Sequence, residues 1–307
     1  MNQKNFNYNI DQLVFTGFGP NQNMPEEQWN KMVDEIKTKM MSGVESFTAE
    51  HKASYGLDDT TTLLGFNKSK NSDFYFFNSF HLHAELNNKE KVFTQKFDLR
   101  TFKEIPGQEK PKKNRNITHK ESYNLLAGRS ICKQFLDEKG GAYDVWMVAN
   151  FNKVNKHGDL EITKLYPGKS YDFQFEKELS KYPIKDLELD VSRDHLYDSL
   201  KRGNQQAVIM VISGEEKLYH IEADARNKTF NVFDDKGKVL SNEQHRELQQ
   251  VVKNRPYHKS EFETKDLVSE HSKGIDEEGK REKSTLYLDA EGNDKKNNSQ
   301  RKTMKVQ

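Results

Sequence analysis

Leu125-Leu126-Ala127-Gly128-Arg129, Leu200-Lys201-Arg202-Gly203-Asn204 and Met40-Met41-Ser42-Gly43 each close a short amphipathic stretch at a glycine, and each runs on into strand-like patterns. Glycine at the end of a helical pattern marks the point where the backbone turns left-handed and the helix stops. Three such junctions, each followed by several strands before the next helix, predict a recurrent α+β scaffold. A doubly wound sheet would instead alternate single strands with helices.

Working outward from the first junction, Met24-Pro25-Glu26-Glu27 reads as a helix start, with proline early and acids at the positive end of the helix dipole. Trp29, Met32, Val33, Ile36 and Met40 then form one apolar stripe. Strand patterns follow at 46–55, 60–66, 73–86 and 91–99, with the aromatic run Phe74-Tyr75-Phe76-Phe77 as the central strand of an antiparallel meander. The segment before this helix, 6–18, reads as a polar-aromatic entry ending in the turn Gly17-Phe18-Gly19-Pro20.

At the second junction, Thr118 and Glu121 have the spacing of a capping box for a helix carrying Tyr123, Leu125 and Leu126. A hairpin is predicted from 131–136 and 143–151 with a turn at Lys139-Gly140-Gly141, and 160–166 adds a third strand. At the third, Ser192 is the expected cap of a helix with Leu196, Tyr197 and Leu200 inward. The continuous apolar run 207–212 suits a strand covered on both faces, and 218–223 and 229–233 complete the meander. A short helix at 175–182 and another beginning at Ser241 flank it.

The fold class expected is therefore α+β, with two antiparallel β-meander units each packed by short helices. The units are placed at 1–102 and 118–252, joined by a basic linker or loop at 103–117 and followed by a disordered charged tail at 253–307. Hydrophobic residues make up only 33% of the chain and charged residues 32%, against about 45–50% and about 25% in an average globular protein. The apolar residues must therefore be concentrated, and they are, before residue 253.

With 49 basic and 48 acidic residues the net charge is +1, which excludes a strongly basic field over the whole chain and leaves only local patches. The lone Cys132 excludes an internal disulfide and a cysteine zinc cage. Neither a membrane-spanning apolar run nor a signal-peptide core is legible, so the expected setting is the cytoplasm, with no membrane partner.

From 123 to 240 the motifs resemble a known family. They are Tyr123-Asn124-Leu125-Leu126-Ala127-Gly128-Arg129, Tyr143-Asp144-Val145-Trp146, Tyr182-Pro183-Ile184-Lys185-Asp186-Leu187, Ser199-Leu200-Lys201-Arg202-Gly203-Asn204, Ile221-Glu222-Ala223 and Phe230-Asn231-Val232-Phe233-Asp234. The chain is similar to the uncharacterised domain carried by conjugative transposons and other mobile elements of Bacteroidota. Leu13-Val14-Phe15-Thr16-Gly17-Phe18-Gly19 and 72–78 resemble segments that precede that domain, while Ser130-Ile131-Cys132-Lys133 departs from its pattern of an aliphatic residue followed by Asn-Lys. The resemblance implies a setting among DNA-processing genes and no catalytic residues.

Basic residues supply the candidate contacts. Lys110, Lys112, Lys113, Arg115 and Lys120 cluster in and after the linker, and Lys201 and Arg202 sit at a helix end, near Arg129 if the units stack. Such cations neutralise phosphates, although a basic helix end also simply answers the dipole. Tyr75 and Phe77, or Phe74 and Phe76, offer stacking on whichever strand face is exposed. A second basic cluster at 295–305 adds affinity for an anionic surface.

Three alternatives to a binding surface have weaker spacing. His81, His83 and Glu85 share a strand face but form no full ligand set, so no metal or other cofactor is expected. Glu222, Asp224, Asp234 and Asp235 would suit Mg²⁺ in a metal-dependent nuclease, but Asp234-Asp235-Lys236-Gly237 also reads as a hairpin turn. Cys132 with His119 or His157 reads better as a small core residue than as a thiol nucleophile, and Gly17-Phe18-Gly19 lacks the spacing of a phosphate loop.

The expected function is a non-enzymatic accessory module of a mobile element, binding DNA, RNA or a protein of the DNA-processing machinery. A protein-interaction or counter-defence module binding a mobile-element or host protein is the alternative, and a nuclease the second. Oligomeric state is not legible.

Overall fold

The computed structural model describes residues 2–21, 23–87, 89–99, 116–137 and 141–253. Helix α1 (Gln3–Phe15) and helix α2 (Glu26–Ser42) precede a meander of β1 (Ser46–Tyr55), β2 (Asp58–Lys68), β3 (Tyr75–Leu86) and β4 (Lys91–Asp98). Helix α3 (His119–Leu126) leads into β5 (Ile131–Leu136), β6 (Ala142–Val154) and β7 (Leu160–Leu165). Then come α4 (Phe175–Leu179), a 3-10 turn at Lys185–Glu188, α5 (Asp190–Lys201), the strands β8 (Gln206–Ile212), β9 (Glu215–Asp224) and β10 (Thr229–Phe233), and finally α6 (Asn242–Lys253). The strands form three antiparallel sheets, in orders β1-β2-β3-β4, β5-β6-β7 and β10-β9-β8. The architecture is α+β with helix-then-meander units, and the second expected unit contains two sheets.

Each of the three glycines takes a positive φ: +76° at Gly43, +86° at Gly128 and +81° at Gly203. The ends of α3 and α5 are built alike. Gly128 N–H donates to the Leu125 carbonyl and Arg129 N–H to that of Asn124; Gly203 N–H donates to Leu200 and Asn204 N–H to Ser199. These paired bonds satisfy the last helical carbonyls and aim the chain into the next strand. Thr118 and Glu121 form the capping box at the start of α3. Glu121 also meets Lys133 of β5 at 2.5 Å in a buried ion pair, fixing the helix against its own meander.

Two buried clusters share the middle sheet. The first gathers α1, α2, one face of the four-stranded sheet and α3, together with Ile131, Met147, Ala149 and Leu160. The second gathers Cys132, Trp146 and Val148 with α4, α5, β8 to β10 and α6. Alternate residues of β5 and β6 thus point into opposite cores, and β6 is buried without a break from Val145 to Ala149.

Four details differ from the sequence reading. The strand covered on both faces is β6, which lies between the two cores; β8 turns only Val208 and Met210 deeply into the second core and leaves Ala207 exposed and Ile209 and Val211 half-buried on its other face. Helix α5 starts at Asp190 rather than after Ser192, and α4 stops at Leu179. The polar-aromatic entry, to which the sequence reading assigned no helix, is helix α1. Its stability comes from outside itself: Asn5 and Asn9, one turn apart, hydrogen-bond the backbone of β3. Asn5 accepts from Tyr75 N–H and donates to its carbonyl, at 2.8 and 2.9 Å. Asn9 accepts from Phe77 N–H at 2.9 Å and donates to the same carbonyl. The β4 ladder begins only at Ser79, so these amides serve the stretch of β3 that lacks a neighbouring strand there. The tail at 254–307 lies outside the described residues.

Candidate binding groove at the sheet junction

The end of α3 sets the geometry. Tyr55 of β1 and Tyr123 of α3 stack with ring centroids 4.3 Å apart. The Lys120 ammonium lies 3.9 Å from one ring centre and 4.5 Å from the other. The Arg129 guanidinium stands 5.4 Å from the Tyr123 ring centre, so two cations rest against one electron-rich aromatic pair. Burial, and then the nearby charge of Arg129, lower the Lys120 pKa to about 8, with Asp58 acting in the opposite sense. The Tyr123 hydroxyl donates to Asp58 Oδ2 at 2.8 Å, and burial followed by that bond raises its pKa. Burial raises Tyr55 as well.

Arg129 is held on three sides. Its Nη1 donates to Asn124 Oδ1 at 2.6 Å, its Nε lies 3.5 Å from Glu222 Oε2, and the Tyr123 ring covers one face. Burial raises the Glu222 pKa, opposed by the Asn231 hydrogen bond and the charge of Arg129. Asn124 is fully buried and donates to the Arg202 carbonyl at 2.8 Å and to Asn204 Oδ1 at 3.0 Å. One amide therefore joins the C-termini of α3 and α5. The approach is close: a Cβ on Gly203 would stand 2.8 Å from the Ser130 carbonyl oxygen and 2.9 Å from Ile131 Cγ2.

Beside Arg129 the surface opens into two adjoining pockets separated by Phe151. One, of about 360 Å³, is walled by Arg129, Lys91, Asp58, Phe93 and Phe151. The other, of about 260 Å³, is walled by Asn150, Phe151, Ser130, Asp224 and Arg226. Both have Gly128 at their shared edge. The Phe151 ring is 42% exposed and is steadied edge-on by Phe93 at 5.0 Å.

The acids along this groove are satisfied from inside the fold. Asp58 also accepts from Asn87 N–H at 2.7 Å, and Asp224 accepts from the backbone and side chain of Asn227. Among the described residues neither Lys91 nor Arg226 belongs to an ion pair, and both are exposed.

Of the cations expected from sequence, the structure brings Lys120 and Arg129 together on Tyr123. Arg202 joins them only through its carbonyl; its own side chain is exposed and its Nε donates to the Asp198 carbonyl. Lys201 faces elsewhere, bonded to Asp144 at 2.8 Å. Burial opposes its charge, but the bond to Asp144 and the carboxylate's charge raise its pKa on balance. Lys110, Lys112, Lys113 and Arg115, the tail cluster at 295–305 and the turn residues 139 and 140 lie outside the described residues. Of the two aromatic pairs, Tyr75 and Phe77 face the core; on the other side Phe76 packs against Tyr8, and Phe74 is 40% exposed.

The candidate catalytic groups have structural partners. Asp234 Oδ1 accepts from Lys236 and Lys238 N–H in a hairpin turn. Cys132 lies buried in the second cluster, whereas His119 lies in the region of the first, bonded to Tyr55 and Thr62. His83 meets Thr94, and among the described residues no three His, Cys, Asp or Glu side chains gather around one ion position. Also among the described residues, no helix is long and apolar enough to cross a membrane.

Phe151, Phe93, Lys91 and Arg226 were not singled out by sequence reasoning. They come from two strands, β4 and β6, and a turn, all distant in sequence, and the only local sign was aromatic Phe151 at the polar end of its strand, in Asn150-Phe151-Asn152-Lys153. Comparisons with family models, curated proteins and solved structures give no match to this chain.

Proposed function

We propose that the chain is a non-enzymatic accessory module of a mobile genetic element, working in the cytoplasm and binding nucleic acid through the groove at Phe151. The mobile-element setting rests on the sequence resemblance. The nucleic-acid reading rests on one observation: an exposed aromatic ring divides two pockets that carry Lys91 and Arg129 on one side and Arg226 on the other. Cations flanking a stacking surface are what a phosphate-linked chain of bases requires. A binding role without chemistry is supported by the engagement of the carboxylates and imidazoles in turns, caps and cores.

A salt titration tests this reading. Binding to single-stranded DNA, duplex DNA and RNA is expected to weaken with salt, and Lys91→Ala and Arg226→Ala should each reduce the salt slope by about one phosphate contact. Absence of binding to every oligonucleotide at low salt would remove the proposal.

A protein partner is the second reading, favoured by Arg129 and Lys201 being spent on Glu222 and Asp144. It predicts a nuclease-resistant complex with a defined protein, recovered at fixed stoichiometry by size-exclusion chromatography and lost with Arg202→Glu.

A further inference from the structure

We infer that the groove takes a single strand in preference to a duplex, seating an unpaired base against Phe151 with the adjoining phosphates at Lys91 and Arg226. The inference rests on the nucleic-acid reading above and narrows it to one substrate class.

Lys91 and Arg129 wall the first pocket, the Phe93–Phe151 aromatic pair stands at the partition, and Arg226 walls the second. A single nucleic-acid strand has the matching order, an anion, a planar ring and an anion. An acidic peptide offers anions without the ring. A duplex offers anions but keeps its base faces covered by stacked neighbours, which leaves Phe151 nothing to stack on.

The dimensions agree. Pockets of about 360 and about 260 Å³ lie at or below the lower end of the usual ligand range of roughly 300–1,000 Å³. Each therefore receives one group rather than a folded segment. Polar groups for a base edge are at hand in Asn87 in the first pocket and Asn150 and Asn152 in the second. They follow no single readout pattern, which fits sequence-tolerant stacking better than base-specific recognition.

The ring is also pre-positioned. Phe151 continues the strand whose residues 145–149 are buried between two cores, and Phe93 holds it edge-on. Little ordering is left to be done at binding, which lowers its entropic cost.

The test uses the full chain and fluorescence anisotropy with three probes: a short labelled single strand, a hairpin duplex of the same sequence, and the same strand with abasic spacers in place of the bases. The single strand is expected to bind tightest, and Phe151→Ala to weaken it by roughly 5- to 150-fold. The same variant should leave the abasic and duplex probes unchanged. Phe151→Trp should restore single-strand binding, which a loss of fold would not allow. Lys91→Ala should weaken all three probes together.

Equal binding of duplex and single strand, or an unchanged affinity in Phe151→Ala, overturns the single-strand inference while leaving nucleic-acid binding in place. No binding of any probe at low salt overturns both. Displacement of the strand by polyglutamate at matched charge would assign the groove to acidic protein segments and also overturn it.

Discussion

Asn124 and His51 show what individual side chains contribute. Asn124 accepts from Arg129 and donates to Arg202 and Asn204, all from a fully buried position. Asn124→Ala leaves the Arg202 carbonyl without that donor, at an expected cost of roughly 1–3 kcal/mol in urea unfolding. Arg129 would also lose a positioning bond, so single-strand affinity should fall with stability. His51 is the opposite case: it is 1% exposed, and among the described residues neither ring nitrogen has a hydrogen-bond partner. Its ring meets His119 at 4.7 Å and Phe18 at 5.1 Å.

Burial pushes the His51 pKa from 6.5 down to about 4, and burial, with the charges of His51 and Lys120, holds His119 well below its usual value. The unfolded chain therefore takes up protons that the folded chain refuses. Stability from this pair is present above 6.5 and is lost as pH falls from there toward 4. The urea midpoint should drop between about pH 7 and about pH 4.5, and His51→Phe, which removes a buried unpaired polar ring, should flatten that dependence without lowering the midpoint at neutral pH.

Among the elements, α3 and α5 were legible because their signals are local. In α3 capping residues, an apolar stripe and a terminal glycine lie within one short segment, and the Thr118–Glu121 box formed as read; in α5 the stripe and Gly203 were readable, but the helix begins at Asp190 with no side-chain cap, not at Ser192. Helix α1 was not legible. Its asparagines have weak helix propensity, and the hydrogen bonds that hold it reach a strand about 70 residues away, as in Asn5 to Tyr75. The double variant Asn5→Ala/Asn9→Ala should detach α1, exposing its backbone amides to rapid hydrogen exchange while α3 and α5 remain protected. Gly203→Ala should be severe for a different reason: the residue sits at φ +81° and its new Cβ would press on Ser130 and Ile131. A drop of several degrees in Tm is expected, against little change for the spatially open Gly43→Asn, because asparagine tolerates the left-handed conformation.

The same distinction explains the groove. Arg129 was readable from its place after a helix-ending glycine, whereas Phe151 was an unremarked strand residue until folding set Phe93 and Arg226 around it. Long-range proximity has no signature in a single sequence.

Over the whole molecule, the shared middle sheet decides how the chain comes apart. Ile131, Met147, Ala149 and Leu160 complete a core otherwise built from residues before 100 and from helix α3. Gln95 and Lys96 of β4 add bonds across the same junction, to Leu160 N–H and from Lys96 N–H to Asp159. Urea unfolding should therefore give one transition, with tryptophan fluorescence from Trp29 in the first cluster and Trp146 in the second changing together. Trp29→Phe and Trp146→Phe variants read each core separately; two separated midpoints would show the cores to be independent.

The clamped strand β6 has a mechanical corollary. Its outer end carries Phe151 and its middle is gripped from both sides, so tension applied to a ligand at that ring would be shared between the two cores in parallel. The strand acts as a mooring post set through two decks, which resists being peeled away one hydrogen bond at a time.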